Sequence, residues 1–362
     1  MRAWLRWLPA VVVPAVIATA VIATGALAGS SQAGAAVDLP AKTPEQVLAM
    51  IGQSTVRAFS GTVEQTSQLG LPKLPVRGAS PTGAAAALEL LAGAHTARVY
   101  VDGPTNLRVQ VMDTFAERDV VRHGTEVWLY SSDDNTATRV TLPADTKPQD
   151  AVVPDAVQTP TELAHLFLAA IDPSTAVTIG PAALVAGRTA YDLVLTPRTS
   201  GTLVGSVSIA VDSATGLPLS VEVQARGQDK PAFGVAFTSF TLGAPAPDRF
   251  QFVPPPGAVV KQQVLPALTA LQRSPEGSAA TGKSATARPT ITGTGWDAVV
   301  ELPAGTVPAG LTSSPLLGRL TQAVTGGRLA HTALLNLLLT DDGRVFLGSV
   351  PVERLQAVAA GR

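Results

Sequence analysis

Eight short segments in which apolar and polar residues alternate, each closed by a turn-forming cluster, constrain this chain more than any other feature of its sequence. In 107–111, Leu107, Val109 and Val111 fall on one side of an extended backbone and Arg108 and Gln110 on the other. The same period of two runs through 96–101, 126–130, 139–142, 191–196, 205–211, 219–224 and 233–240. Asp102-Gly103-Pro104, His123-Gly124, the stretch 212–216 and Gly227-Gln228-Asp229 sit between them as turn signals. Strands joined by such turns pair antiparallel, and a sheet built this way buries one face and must have it covered.

Two segments carry the chemistry of a helix start. In Thr43-Pro44-Glu45-Gln46 the threonine caps, the proline fits the first helical position and the glutamine completes a capping box, which predicts a helix to about Phe59. Thr159-Pro160-Thr161-Glu162 repeats the pattern and puts Leu163, Leu166, Phe167, Ala170 and Ile171 on one stripe before Asp172-Pro173 stops the helix. The expected class is α+β, a meandering sheet with helices on one side. Leu107, Val109 and Val111, with Val207, Ile209 and Val211 and with Leu219, Val221 and Val223, form its expected inner face, under a lid carrying Leu48, Ile51, Leu163 and Phe167. Arg108, Gln110, Ser208 and Glu222 are expected to face water.

The N-terminus sets the compartment. Arg2 and Arg6 precede an uncharged stretch from Leu8 to Ala28, long enough at roughly 20 residues to enter a bilayer. Pro9 and Pro14 argue against a buried globular helix, and Ala26-Leu27-Ala28 and Ala33-Gly34-Ala35 both offer small-x-small cleavage sites. An export signal over 1–35 is expected, more readily cleaved than kept as an anchor, with the rest of the chain extracytoplasmic.

Composition removes several function classes. The absence of cysteine excludes disulfides, thiolate metal sites and cysteine nucleophiles. A net charge of −1 with scattered arginines gives no footprint for nucleic acid. His95, His123, His165 and His331 show no metal-ligand spacing, no serine sits in a Gly-x-Ser-x-Gly elbow, and Asp133-Asp134 reads as a solvated turn. No catalytic residue, metal or cofactor is therefore expected.

Six groups of residues carry a family resemblance. Phe59-Ser60-Gly61-Thr62-Val63-Glu64-Gln65-Thr66, then Val101-Asp102-Gly103-Pro104 to Leu107, then His123-Gly124-Thr125-Glu126-Val127-Trp128-Leu129-Tyr130 stand in the order seen in the LolA-like superfamily of periplasmic lipoprotein carriers. Tyr191-Asp192-Leu193-Val194-Leu195-Thr196-Pro197, Val211-Asp212 with Thr215-Gly216-Leu217-Pro218, and Phe250-Gln251-Phe252-Val253-Pro254-Pro255-Pro256-Gly257 resemble that superfamily's closing strands. The resemblance spans 44–260 and implies an unclosed antiparallel half-barrel, apolar inside and covered by helices, over a domain of 40–265. It implies a non-enzymatic container for lipid or lipoprotein acyl chains. Gly103 stands where the carriers place a basic residue that ties down their lid, so their release mechanism does not transfer. The MucB and RseB relatives add a C-terminal domain and act as envelope sensors holding an anti-sigma factor, which gives the alternative of a regulator with a membrane-anchored protein partner.

Beyond the half-barrel, 266–290 reads as a flexible linker and 291–362 as a small α/β module. Gly277-Ser278-Ala279-Ala280-Thr281-Gly282-Lys283-Ser284 matches the phosphate-loop pattern, with 337–342 as a possible metal-presenting strand. It lacks the buried strand before it and the long helix after it, so no nucleotide is expected, and Asp341-Asp342-Gly343 is better read as a hairpin turn. Gly293-Thr294-Gly295 with Ala298 is a weaker echo of a dinucleotide loop, followed by strand rather than helix. The module is expected to hold a strand at 296–302, a helix from Pro315 to about Thr325, a hairpin and a helix starting at Pro351, with Trp296 in its core.

Overall fold

The computed structural model describes residues 39–71, 93–112, 117–142, 159–264, 289–305, 318 and 320–361. The expected export segment and the phosphate-loop match lie outside them. The first helix, α1 (Pro44–Gly52), opens with the expected capping box on Thr43 and Gln46. It stops at Gly52, well short of Phe59, because Ala58–Ser67 is already strand β1. A meander follows through β2 (His95–Asp102), β3 (Asn106–Met112), β4 (Glu117–His123), β5 (Glu126–Ser131) and β6 (Thr136–Thr141). Helix α2 (Pro160–Ala169), capped by Thr159 and Glu162, leads into β7 (Thr175–Ile179), β8 (Ala183–Val185), β9 (Arg188–Pro197), β10 (Val204–Asp212), β11 (Pro218–Ala225) and β12 (Pro231–Leu242).

With β13 (Val259–Val264), these strands build one 13-stranded sheet in the order β13-β6-β5-β4-β3-β2-β1-β12-β11-β10-β9-β7, with β8 paired to β9. The closing pair is β1 with β12, which share a bulge at Thr62/Val63. After β12 the chain crosses the sheet's other surface. The short helical turn Pro247–Phe250 lies against β3 and β4, and Phe252 sits on Trp128 and Tyr130 at ring separations of 5.3 and 5.7 Å. Strand β13 then pairs with β6 in parallel, a departure from the all-antiparallel expectation that a strap across the sheet makes possible.

The C-terminal unit is a second sheet of six strands, ordered β14 (Thr290–Thr292), β15 (Val299–Leu302), β19 (Val345–Gly348), β18 (Asn336–Thr340), β17 (Gly327–His331), β16 (Gln322–Val324). Helix α3 (Val352–Ala359) packs on β18 and β19, with Leu355 fully buried. Every pairing in this sheet is antiparallel. The helix expected to reach Thr325 therefore ends earlier, since Gln322–Val324 pairs with β17 through a tight turn at Thr325 and Gly326. The Asp341–Gly343 hairpin forms as expected.

The two sheets are fastened together. The Ser349 carbonyl accepts from the Leu203 amide and the Thr202 hydroxyl, both at 2.7 Å, and the Leu69 carbonyl accepts from Ala333. Leu334 is fully buried in the large sheet's core. Trp296 also packs there, with its indole N–H donating to the Thr175 hydroxyl at 2.9 Å. It joins the two sheets, whereas the small sheet's own core is built on Val299, Leu338, Phe346 and Leu355.

Candidate functional site

Because side chains alternate across a strand, the pairing register decides which residues share a face. Val109 lies between Val99 and Val120, and Val99 lies opposite Gly61. Gln65 pairs with Val235, Val235 with Val221, Val221 with Ile209, Ile209 with Leu193, and Leu193 with Ile179. All nine residues expected to form the inner surface thus fall on one face, which runs from β6 to β7. The residue it cannot do without is Gly61, where a Cβ would lie 2.4 Å from the Ser239 carbonyl and 2.8 Å from the Phe237 ring. Over that gap Phe59, Phe237 and Phe240 close into an aromatic trio.

The face is not uniform. On β9 to β12, Val207, Ile209, Val211, Leu219, Val221 and Val223 are fully buried parts of one core. Helix α1 packs on β7 and β9, and α2 on β11 and β12. Ile51, Leu163 and Phe167 are buried against this core as expected, but Leu48 is only half-buried at its edge. Val47 and Ala164, both fully buried, take the places that the helix pattern left unassigned; the i, i+4 spacing of Val47 and Ile51 was the available signal.

On β2 to β6 a separate cluster holds Ala97, Val109, Val111, Val120, Val127, Val140 and Leu142, with Leu107 and Leu129 half-buried against it. Two arginines of β4, Arg118 and Arg122, share this face.

The opposite surface carries the acids. Asp119 receives two hydrogen bonds from Arg108, at 3.1 and 2.6 Å, yet burial holds its carboxyl above the usual range against that pairing. Glu126 accepts from Arg139 and from the Trp128 indole, with Arg139 first in lowering its pKa. Gln110 donates to Glu117. Arg108 and Gln110 are therefore half-buried in a polar network, not simply solvated. Ser208 donates to Asp192, whose pKa burial raises, while Glu222 is exposed.

The described residues include no group of three that could hold a metal ion, and no helix among them is long and apolar enough to cross a membrane. A groove of about 660 Å³ runs between α3 and the β18–β19 turn, lined in part by Thr340, Asp342, Arg344 and Glu353. Asp342 is already held by Thr340 and Arg344, which lower its pKa to about 2, and Arg344 also reaches Glu301 at 3.2 Å. These internal pairings suit a hairpin turn.

No family model and no curated protein matches the chain. It is similar to solved structures of low identity. One is a MucA/MucB complex of Pseudomonas aeruginosa, at 17% identity over 87% of this chain and 96% of that one, with a TM-score of 0.42. Another is a LolA superfamily protein of Nitrosomonas europaea, at 12% identity over 59% and 99%, with a TM-score of 0.23. A third is an uncharacterised conserved protein of Thermus thermophilus, at 13% identity over 60% and 98%, with a TM-score of 0.34.

Proposed function

We propose that this chain is an exported, non-enzymatic binding protein that holds the acyl chains of a lipid or lipoprotein against the β2–β6 half of its apolar face. One observation carries the reading: a single apolar face extends across the eleven strands from β6 to β7, while α1 and α2 pack on the β7–β12 half. The side chains of β9 to β11 are then the packed core that fixes the sheet, and the ligand meets the β2–β6 cluster through the half-buried Leu107 and Leu129, with Val109, Val111 and Val127 buried behind them. In this reading the sheet curls into a half-barrel with that cluster inside. Each methylene laid on it contributes about 0.8 kcal/mol, enough for a single chain to bind without any polar contact. Native mass spectrometry of the mature protein after exposure to membrane extract is expected to show bound lipid. Leu107→Glu, at a half-buried position, is expected to remove it, with a thermal melt checking that the variant is folded. Wild-type protein that emerges lipid-free would sink the reading.

A second reading, an envelope sensor that engages a membrane-anchored protein, is favoured by the hydrogen-bonded fastening of the second sheet at Ser349 and Trp296. A fixed second unit lets a change on the apolar face reach another surface. Cross-linking in native membranes separates the two: a sensor captures one membrane protein in a lipid-dependent way, and a carrier captures lipoproteins of many kinds.

A further inference from the structure

Arg122 places a cation on the apolar face, at the end next to the β4–β5 turn. Its side chain lies on the apolar face, opposite Leu107 of β3 and Val127 of β5, two residues along from Val120. It is only 6% exposed. Its Nε donates to the Gly124 carbonyl at 3.1 Å, and among the described residues no carboxylate pairs with its guanidinium. The acids of the same hairpin, Glu117, Asp119 and Glu126, lie on the opposite face, where Gln110, Arg108 and Arg139 hold them.

Burial lowers the proton affinity of Arg122, but a guanidinium stays charged at any physiological pH. Its terminal nitrogens are not among the buried atoms without a partner, so the stem is buried while the charged end reaches the surface. A cation presented there beside apolar neighbours, with no carboxylate pairing it, suits an anion that comes from outside the chain. We propose that Arg122 anchors the anionic head group, phosphate or carboxylate, of an amphiphile whose acyl chains lie on Leu107, Val109, Val120 and Val127. The proposal rests on the acyl-chain reading above and gives that ligand its charge and orientation. Arg122 sits next to the β4–β5 turn, so the head group lies at the end of the face and the chains run along it. An arginine fork pairs two oxygens of a phosphate or carboxylate at once, which makes it a better anchor than a lysine.

The test is uptake from vesicles of phosphatidylglycerol or phosphatidylcholine with identical acyl chains, read as bound lipid by native mass spectrometry. Wild-type protein is expected to take phosphatidylglycerol in preference by about tenfold, the size of one charge-assisted hydrogen-bonded contact. Arg122→Gln is expected to lose that preference and keep its phosphatidylcholine uptake, and Arg122→Lys to retain part of it. Thermal melts establish that each variant is folded, and Arg122→Met, which keeps the apolar stem, replaces the glutamine variant should that one unfold. Equal uptake of both lipids by wild type, or a preference that survives in Arg122→Gln, overturns the anchor and leaves the acyl-chain reading standing. Uptake of neither lipid sinks that reading, and the anchor with it. An Arg122-dependent thermal shift with inorganic phosphate or an acidic peptide, without lipid preference, also overturns the proposal by assigning the cation to another anion.

Discussion

Two buried aspartates with almost the same partner end up with opposite proton affinities. Asp212 closes the β10–β11 turn, taking two bonds of 2.8 Å from Arg188 and further ones from the amide and hydroxyl of Thr215. Burial pushes its carboxyl up, but Arg188 and Thr215 outweigh burial and hold it below the usual range. Asp119 has Arg108 and no such turn, and there burial wins. The consequences have opposite signs. A depressed carboxyl stabilises the fold above the unfolded value of about 3.9, and that contribution disappears as pH falls through the folded one. A raised carboxyl such as Asp119 opposes folding at neutral pH, and its cost is relieved as pH falls. Urea midpoints measured from pH 7 to pH 2 are expected to drop below about pH 4 in wild type. The drop is expected to shrink in Asp212→Asn, a variant that is also less stable at pH 7 by about 3 kcal/mol because Arg188 is left unpaired. An unchanged acid limb would show that Asp212 does not carry it. Gly216 in the same turn has φ of +72°, and a Cβ there would meet the Met50 carbonyl at 2.2 Å, at the end of α1. Gly216→Ala is expected to cost more than about 2 kcal/mol and to raise hydrogen exchange in α1, since both strain and displacement act at one atom.

At the scale of elements, what the sequence revealed was whatever is decided within a few residues. The capping boxes at Thr43 and Thr159 and the alternation of β3, β10 and β11 are local, and each appears in the fold. What it hid depends on distant partners. Strand β4 reads Glu-Arg-Asp-Val-Val-Arg-His, which looks solvated on both sides; in the fold Asp119 and Arg122 are nevertheless buried, on opposite faces of the sheet. For the same reason Arg122 could not be picked out as a candidate, since a lone arginine in a strand reads as a solvated face. The start of strand β1 is hidden because the capping box fixes where α1 begins but not where it ends, so the expected helix runs on over Ala58 and Phe59. Strands β16 and β17 are three and five residues long and are joined by the Thr325-Gly326 turn. The parallel pairing of β13 with β6 brings 259–264 beside 136–141, and no local signal encodes it.

For the whole molecule, the question is whether a linker rich in small residues makes two independent bodies. The contacts argue for one. Sheet-to-sheet hydrogen bonds run through Thr202, Leu203 and Ser349, Thr199 donates to Asp297 at 3.3 Å, and Leu334 fills the large sheet's core from the small one. Unfolding one sheet would expose Leu334 and strand the Ser349 carbonyl and its two donors, so each sheet raises the other's stability. Two of the four tryptophans lie beyond the N-terminal 35 residues, Trp128 on the large sheet and Trp296 at the junction. Their fluorescence and the far-UV circular dichroism are expected to change together at one urea midpoint. Trp296→Ala removes a large packed ring and a hydrogen bond at the junction, with an expected cost of about 3 kcal/mol. That loss is expected to fall on the coupling more than on either core, so the variant should show two separated transitions, with the Trp128 signal following the large sheet alone. Two transitions already present in wild type would mean that the junction is too weak to join the sheets, and would remove the physical basis for a signal passing from the apolar face to the C-terminal sheet.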